Sequence, residues 1–133
     1  MIPKYRMWNR ITSKLYHVTG LYFDSKEVQY TDEFGILRFI KFENTILMQS
    51  TGLKDKNGKE IFEGDIVTDG DVTSDIKYHQ TLGFYMIGEY GFSVPFGQGV
   101  DVEYFEEFAD HVSKTFEVVG NVYENPELLE VAE

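Results

Sequence analysis

Asp65, Asp69, Asp71 and Asp75 fall within eleven residues, a density of carboxylates that invites a calcium reading. Their spacing departs from that of an EF-hand loop. The neighbouring Asp69-Gly70-Asp71 reads instead as a turn, where aspartate side chains bond their own backbone. The segment Gly52 to Lys59, GLKDKNGK, superficially suggests a phosphate loop. Its glycines are one residue too far apart, and Glu60 stands where a magnesium-binding hydroxyl must be. Gly97-Gln98-Gly99 lacks the third glycine of a dinucleotide fingerprint. His17, His79 and His111 are scattered, and none sits in a metal-binding pattern. Glu107 and His111 share a face if their segment is helical, the spacing of a local side-chain pair. Adjacent carboxylates such as Glu106 and Glu107 point in different directions on a helix or a strand and make poor acid–base partners. The chain has no cysteine, which excludes thiol catalysis, disulfides and Cys-ligated metals. The residues give no positive sign of catalysis, a bound cofactor or a metal, and the protein reads as a non-enzyme.

The chemistry that remains is that of a contact surface. Residues 101 to 113 interleave Asp101, Glu103, Glu106, Glu107 and Asp110 with Val102, Tyr104, Phe105 and Phe108. Apolar anchors supply most binding energy while charges orient the encounter. Glu103, Tyr104, Glu106, Glu107 and Phe108 are therefore the candidate interaction residues, facing a protein partner with a basic counterpart or a second copy of the chain. Packing of the aromatics on the protein's own core is the competing account.

Charge sorts partners further. The 133 residues carry 23 acidic and 12 basic side chains, a formal net charge of −11. Residues 1–60 hold ten basic and seven acidic side chains, residues 61–100 one and six, and residues 101–133 one and ten. Affinity for nucleic-acid phosphates comes mainly from lysine and arginine, so this balance argues against nucleic acid as a partner. The acidic end reads as a solvated surface or as a partner-facing patch, including one that imitates nucleic acid. No apolar run approaches the length of a membrane span, and no secretory leader is visible. The expectation is a soluble, cytoplasmic protein.

The elements that must carry these residues are mostly strands. Lys4 to Trp8 alternates at period two, and Lys14 to Asp24 is rich in β-branched and aromatic residues with Gly20 at a bulge. Asp24 to Lys26 and Asp32 to Gly35 are turns. Asn57-Gly58 is expected to form a type I′ hairpin turn, Gly64 a conformation that a side chain would prevent, and Asp65 the start of the next strand. Pro95 suits a strand end or sheet edge. Residues 102–112 show helical spacing at Tyr104, Phe105, Phe108 and Val112, which fits one short helix, with an acidic loop as the alternative. Residues 116–123 form a strand with a bulge at Gly120. Asn125, as N-cap, and Pro126, at the first helical position, open a closing helical turn.

The stretch QSTGLKDKNGKEIFEGDIV, residues 49–67, resembles the signature of the YopX family of phage and prophage proteins. FEVVGNVYENPELL, residues 116–129, is similar to that family's closing segment, and MIPKYRMWN, residues 1–9, to its opening, with Asn9 in a place where an acidic residue is common. The resemblance implies a mainly β fold whose C-terminal part is an SH3-like barrel, and it implies no catalytic residues. The resulting expectation is small, strongly bent sheets with one or two short helices, arranged as an N-terminal β lobe over 1–50 and a barrel lobe over 51–133. In function it is a non-enzymatic phage or prophage accessory protein acting through protein–protein interaction or self-association in the bacterial host cytoplasm. The alternatives are a nucleic-acid-associated SH3-like module, for which the Lys54 to Lys59 hairpin is the precedent, and an acidic nucleic-acid mimic. Within the signature, Thr51, Lys54, Lys56 and Lys59 read either as an exposed contact surface or as a solubilised hairpin.

Overall fold

The computed structural model describes residues 4–79, 83–87, 93–95 and 102–129, with side chains for all of these except 79, 87, 93–95, 102–105 and 108. The chain divides into two units, Met1–Ser50 and Thr51–Glu133.

In the first unit, β1 (Tyr5–Asn9), β2 (Lys14–Tyr22), β3 (Glu27–Thr31), β4 (Leu37–Lys41) and the start of β5 (Thr45–Lys54) form an antiparallel array in the order β4-β3-β2-β1-β5. Alternation puts Val28, Tyr30 and Ile40 on one face, where they join Met7 in a core flanked by Tyr16, Val18, Leu21, Phe42 and Leu47. Asn9 closes β1: its buried side-chain oxygen accepts the N–H groups of Ile11 and Thr12 at 2.9 and 3.0 Å. The register of β2 against β3 shifts between Val18 and Gly20, the bulge expected at that glycine.

In the second unit, the end of β5 meets β6 (Glu60–Phe62). Two three-stranded antiparallel sheets follow. One has the order β12-β7-β8, built from β7 (Asp65–Thr68), β8 (Thr73–Asp75) and β12 (Glu117–Asn121). The other, β11-β10-β9, is built from β9 (Lys77–His79), β10 (Gly83–Ile87) and β11 (Ser93–Pro95), so Pro95 ends an edge strand. A helix, α1 (Val102–Thr115), precedes β12, and a 3₁₀ turn spans Pro126–Leu129. The register of β12 against β7 shifts between Val118 and Gly120.

The fold is mainly β with short helices, but the described residues of 51–133 do not form the SH3-like barrel expected there. Among the described residues no sheet is closed or strongly curled: β12-β7-β8 and β11-β10-β9 each end in edge strands. The physical reason lies in how the core is covered. Leu53, Ile61, Val67, Ile76 and Met86 are joined by Val112 of α1 and by Phe116, with Ala109 against them. An amphipathic helix lays its apolar stripe over these strands and closes the core, a job that a barrel gives to further strands. The strands are three to five residues long, too short to wrap.

Candidate interaction surface

Two hairpins share one construction. In each, an aspartate opens the loop and a glycine stands three residues on: Asp32 with Gly35, and Asp55 with Gly58. The glycine N–H donates to the aspartate carbonyl at 3.0 Å in both, and the aspartate N–H donates to the carbonyl of Ile36 (2.9 Å) or Lys59 (2.8 Å). One carboxylate oxygen accepts two backbone N–H groups, from Phe34 and Ile36 at Asp32 and from Asn57 and Lys59 at Asp55. Gly35 and Gly58 both have φ +79°. Asn57 is not among the positive-φ residues, so the type I′ turn expected at Asn57-Gly58 is corrected to a type I turn followed by a left-handed glycine. Aspartate drives the difference, because its side chain bonds ahead along the backbone and sets the residues before the glycine in right-handed geometry.

The second carboxylate oxygen differs in use. At Asp32 it meets the guanidinium of Arg38, and this bond chiefly, with the backbone donors of Ile36 and Phe34, outweighs desolvation to hold the carboxyl below the usual range. At Asp55, 2% exposed, it accepts the N–H of Val118 at 2.9 Å. Burial alone would raise the Asp55 carboxyl, but the donors from Val118, Lys59 and Asn57 together lower it.

The other sequence-derived structural residues lie as follows. Gly64 is buried with φ +86°; its N–H donates to Ile76 and its carbonyl accepts from Val122. Asp65 is buried at the start of β7 and its carboxylate accepts the Phe62 N–H at 2.8 Å. Pro126 opens the closing 3₁₀ turn. Asn125 does not cap that turn with its side chain: its carbonyl accepts the Leu128 N–H, while its side-chain oxygen turns back to the Asn121 N–H at 3.3 Å. Space beside Gly120 draws it there, since a Cβ on that glycine would lie 2.5 Å from the Asn125 oxygen. The turn aspartates bond locally: Asp69 accepts from Val72 and Asp71, donors that lower its carboxyl, and Asp75 pairs with Lys77 at 2.9 Å. Among the described residues no group of three or more His, Asp or Glu could hold a metal. His111 sets its ring edge-on to Phe116 with centroids 6.2 Å apart.

Of the five candidate interaction residues, Glu106 and Glu107 are exposed on α1, as is Asp110 beyond them. The side chains of Glu103, Tyr104 and Phe108 lie outside the described residues, as do Asp101 and Gly97-Gln98-Gly99. Val112 of the same helix is buried. Thr51 is half-buried and donates to the Ile61 carbonyl, whereas Lys54, Lys56 and Lys59 are exposed.

A second surface went unread in the sequence. Strand β4 is the outer strand of its array. The bonds from the Asp32 N–H to Ile36 and from the Phe42 N–H to Lys26 fix the pairing of β3 and β4. Because paired residues alternate between hydrogen-bonded and open positions, Arg38 and Ile40 turn their backbone groups to β3. Leu37, Phe39 and Lys41 turn theirs to the open edge. The side chains of Leu37 and Phe39 share the face opposite the core and are 55% and 51% exposed. Tyr22 lies against Phe39 with centroids 5.8 Å apart. Phe34, 78% exposed, and Ile36 are further exposed apolar side chains in the loop before β4. An open depression of about 330 Å³, lined by Leu21, Tyr22, Phe23, Asp24 and Ser25, continues the stripe beyond Tyr22. Single exposed apolar residues are ordinary, but contiguous ones beside an unpaired strand form a surface suited to another chain.

These features define a small, mainly β protein of two units with open sheet edges. The chain belongs to the YopX protein family, a phage and prophage family of undefined function whose model matches residues 4–130. It is also similar to protein EF1440 from Enterococcus faecalis, whose crystal structure covers 97% of this chain and 99% of its own at 28% identity, with a TM-score of 0.61. No curated protein matches the chain. Among the described residues no helix is long and apolar enough to cross a membrane.

Proposed function

We propose that this chain is a non-catalytic phage or prophage accessory protein that works in the bacterial host cytoplasm by associating with protein, through the open edge of β4. The observation that carries this reading is the coincidence of unpaired backbone at Leu37, Phe39 and Lys41 with exposed Leu37, Phe39 and Tyr22 side chains. Strand addition uses both: main-chain bonds give affinity, and alternate side chains give specificity. The acidic face of α1 supports a second reading, in which exposed Glu106 and Glu107 meet a basic partner. The net charge of −11 favours protein over nucleic acid in either case.

Affinity capture from host extract separates the two surfaces. The protein is compared with a Leu37→Glu, Phe39→Glu variant and a Glu106→Gln, Glu107→Gln variant, each checked for an unchanged thermal midpoint. Loss of a stoichiometric companion, or of self-association in sedimentation, with the first variant alone supports the β4 edge. Loss with the second alone assigns the role to α1, and association untouched by both rules out the two surfaces.

A further inference from the structure

Asn57-Gly58 is more than a turn. Both residues are exposed, and the position of a Cβ on Gly58 has nothing within 4 Å. An asparagine followed by glycine can cyclise, because no side chain on the second residue blocks its amide nitrogen. The Gly58 nitrogen, losing its proton, bonds to Cγ of Asn57 and the side-chain nitrogen leaves as ammonia. Water then opens the resulting succinimide at either carbonyl, giving aspartate or isoaspartate. Water enters and ammonia departs, with no oxidant or reductant required.

The hairpin opposes the first step. The attacking group is the Gly58 N–H, which donates to the Asp55 carbonyl at 3.0 Å. Asp55 also holds the Asn57 and Lys59 N–H groups on one carboxylate oxygen, at 2.9 and 2.8 Å. Ring closure needs the Gly58 nitrogen turned toward its own neighbour's side chain, which breaks this set. We propose that Asn57-Gly58 is a deamidation site whose rate is governed by the Asp55 side chain, acting as a positioning residue: its carboxylate holds the Asn57 and Lys59 N–H groups and so keeps the loop in the turn that seats the Gly58 N–H on the Asp55 backbone carbonyl. The sister hairpin has Phe34 where Asn57 stands and is immune. Isoaspartate adds a backbone carbon inside the loop that brings the Asp55 N–H to Lys59 and the Lys56 N–H to Phe116, both at 2.8 Å. The modification therefore loosens the tie between this hairpin and β12.

The test is isoaspartate and aspartate formation at residue 57, followed by peptide mass spectrometry during incubation at mildly alkaline pH. The full chain is compared folded and in denaturant, beside Asp55→Ala and Asp55→Asn variants checked for folding by circular dichroism. The folded protein should convert at least about tenfold more slowly than the denatured chain, and folded Asp55→Ala about tenfold faster than the parent, since a lost charge-assisted bond is a barrier change of that order. Asp55→Asn, which keeps one oxygen acceptor, should fall between and serves alone if Asp55→Ala does not fold. Equal rates for the folded parent and the denatured chain, or a parental rate in a folded Asp55 variant, would overturn the proposal.

Discussion

The carboxylate of Asp55 accepts the backbone N–H of Val118 at 2.9 Å across 63 residues of chain. This bond, with that of the Lys56 N–H to the Phe116 carbonyl at 2.8 Å, fastens the tip of the β5–β6 hairpin to the start of β12. Local turn chemistry and long-range closure thus meet in one buried side chain.

Asp55→Ala leaves the N–H groups of Asn57, Lys59 and Val118 without their acceptor. A destabilisation of about 2 kcal/mol is expected, because bonds to a charged acceptor contribute about that much, while the N–H groups of the exposed Asn57 and Lys59 can turn to water. Denaturant unfolding measures it, and an unchanged midpoint would show that the carboxylate does not hold the second unit together.

Stability should also depend on acid. The carboxyls of Asp55, Asp32 and Asp69 are all lowered in the folded protein. Groups with a depressed folded value release protons more readily when folded, so their stabilisation is complete above the unfolded carboxylate value, about pH 4. It is lost as pH falls from there through the folded values. Thermal midpoints should be flat toward neutrality and drop below about pH 4, with a shallower drop in Asp55→Asn. A midpoint that rises on acidification would contradict the assignment.

Two glycines separate strain from collision. Gly58 has φ +79° with open space around its missing side chain, so Gly58→Val should destabilise by about 1–2 kcal/mol through backbone strain alone. Gly120→Ala places a carbon 2.5 Å from the Asn125 oxygen, so its cost should shrink in a Gly120→Ala, Asn125→Ala double variant. A double-mutant cycle with coupling near about 1 kcal/mol is the expected result, and strict additivity would show that the two side chains do not compete for the same space.

Much of this was legible before any fold was known. Turn residues announced the hairpin at Asn57-Gly58, the turn at Asp32 to Gly35 and the bulges at Gly20 and Gly120, and apolar spacing marked α1 as a helix candidate. The turn type at Asn57-Gly58 was misread because the informative residue was Asp55, three positions ahead of the glycine, a pattern repeated at Asp32 and Gly35. The barrel was misread because short strands do not state whether a sheet closes on itself or is covered by a helix. The β4 stripe stayed hidden for a related reason: Leu37 and Phe39 alternate with Arg38 and Ile40, and both faces carry apolar side chains. Only the pairing with β3 shows that Ile40 enters the core while Leu37 and Phe39 remain outside.

Residue-resolved amide hydrogen exchange on the associated protein, whether self-associated or bound to a captured companion, tests the β4 reading most directly. In the free protein the amides of Leu37, Phe39 and Lys41 face the open edge and should exchange fast, while those of Arg38 and Ile40 are protected by β3. On association the three edge amides should slow by at least about tenfold, as expected for amides newly bonded in a strand ladder. Association that leaves those three amides fast while protecting residues elsewhere would contradict the account.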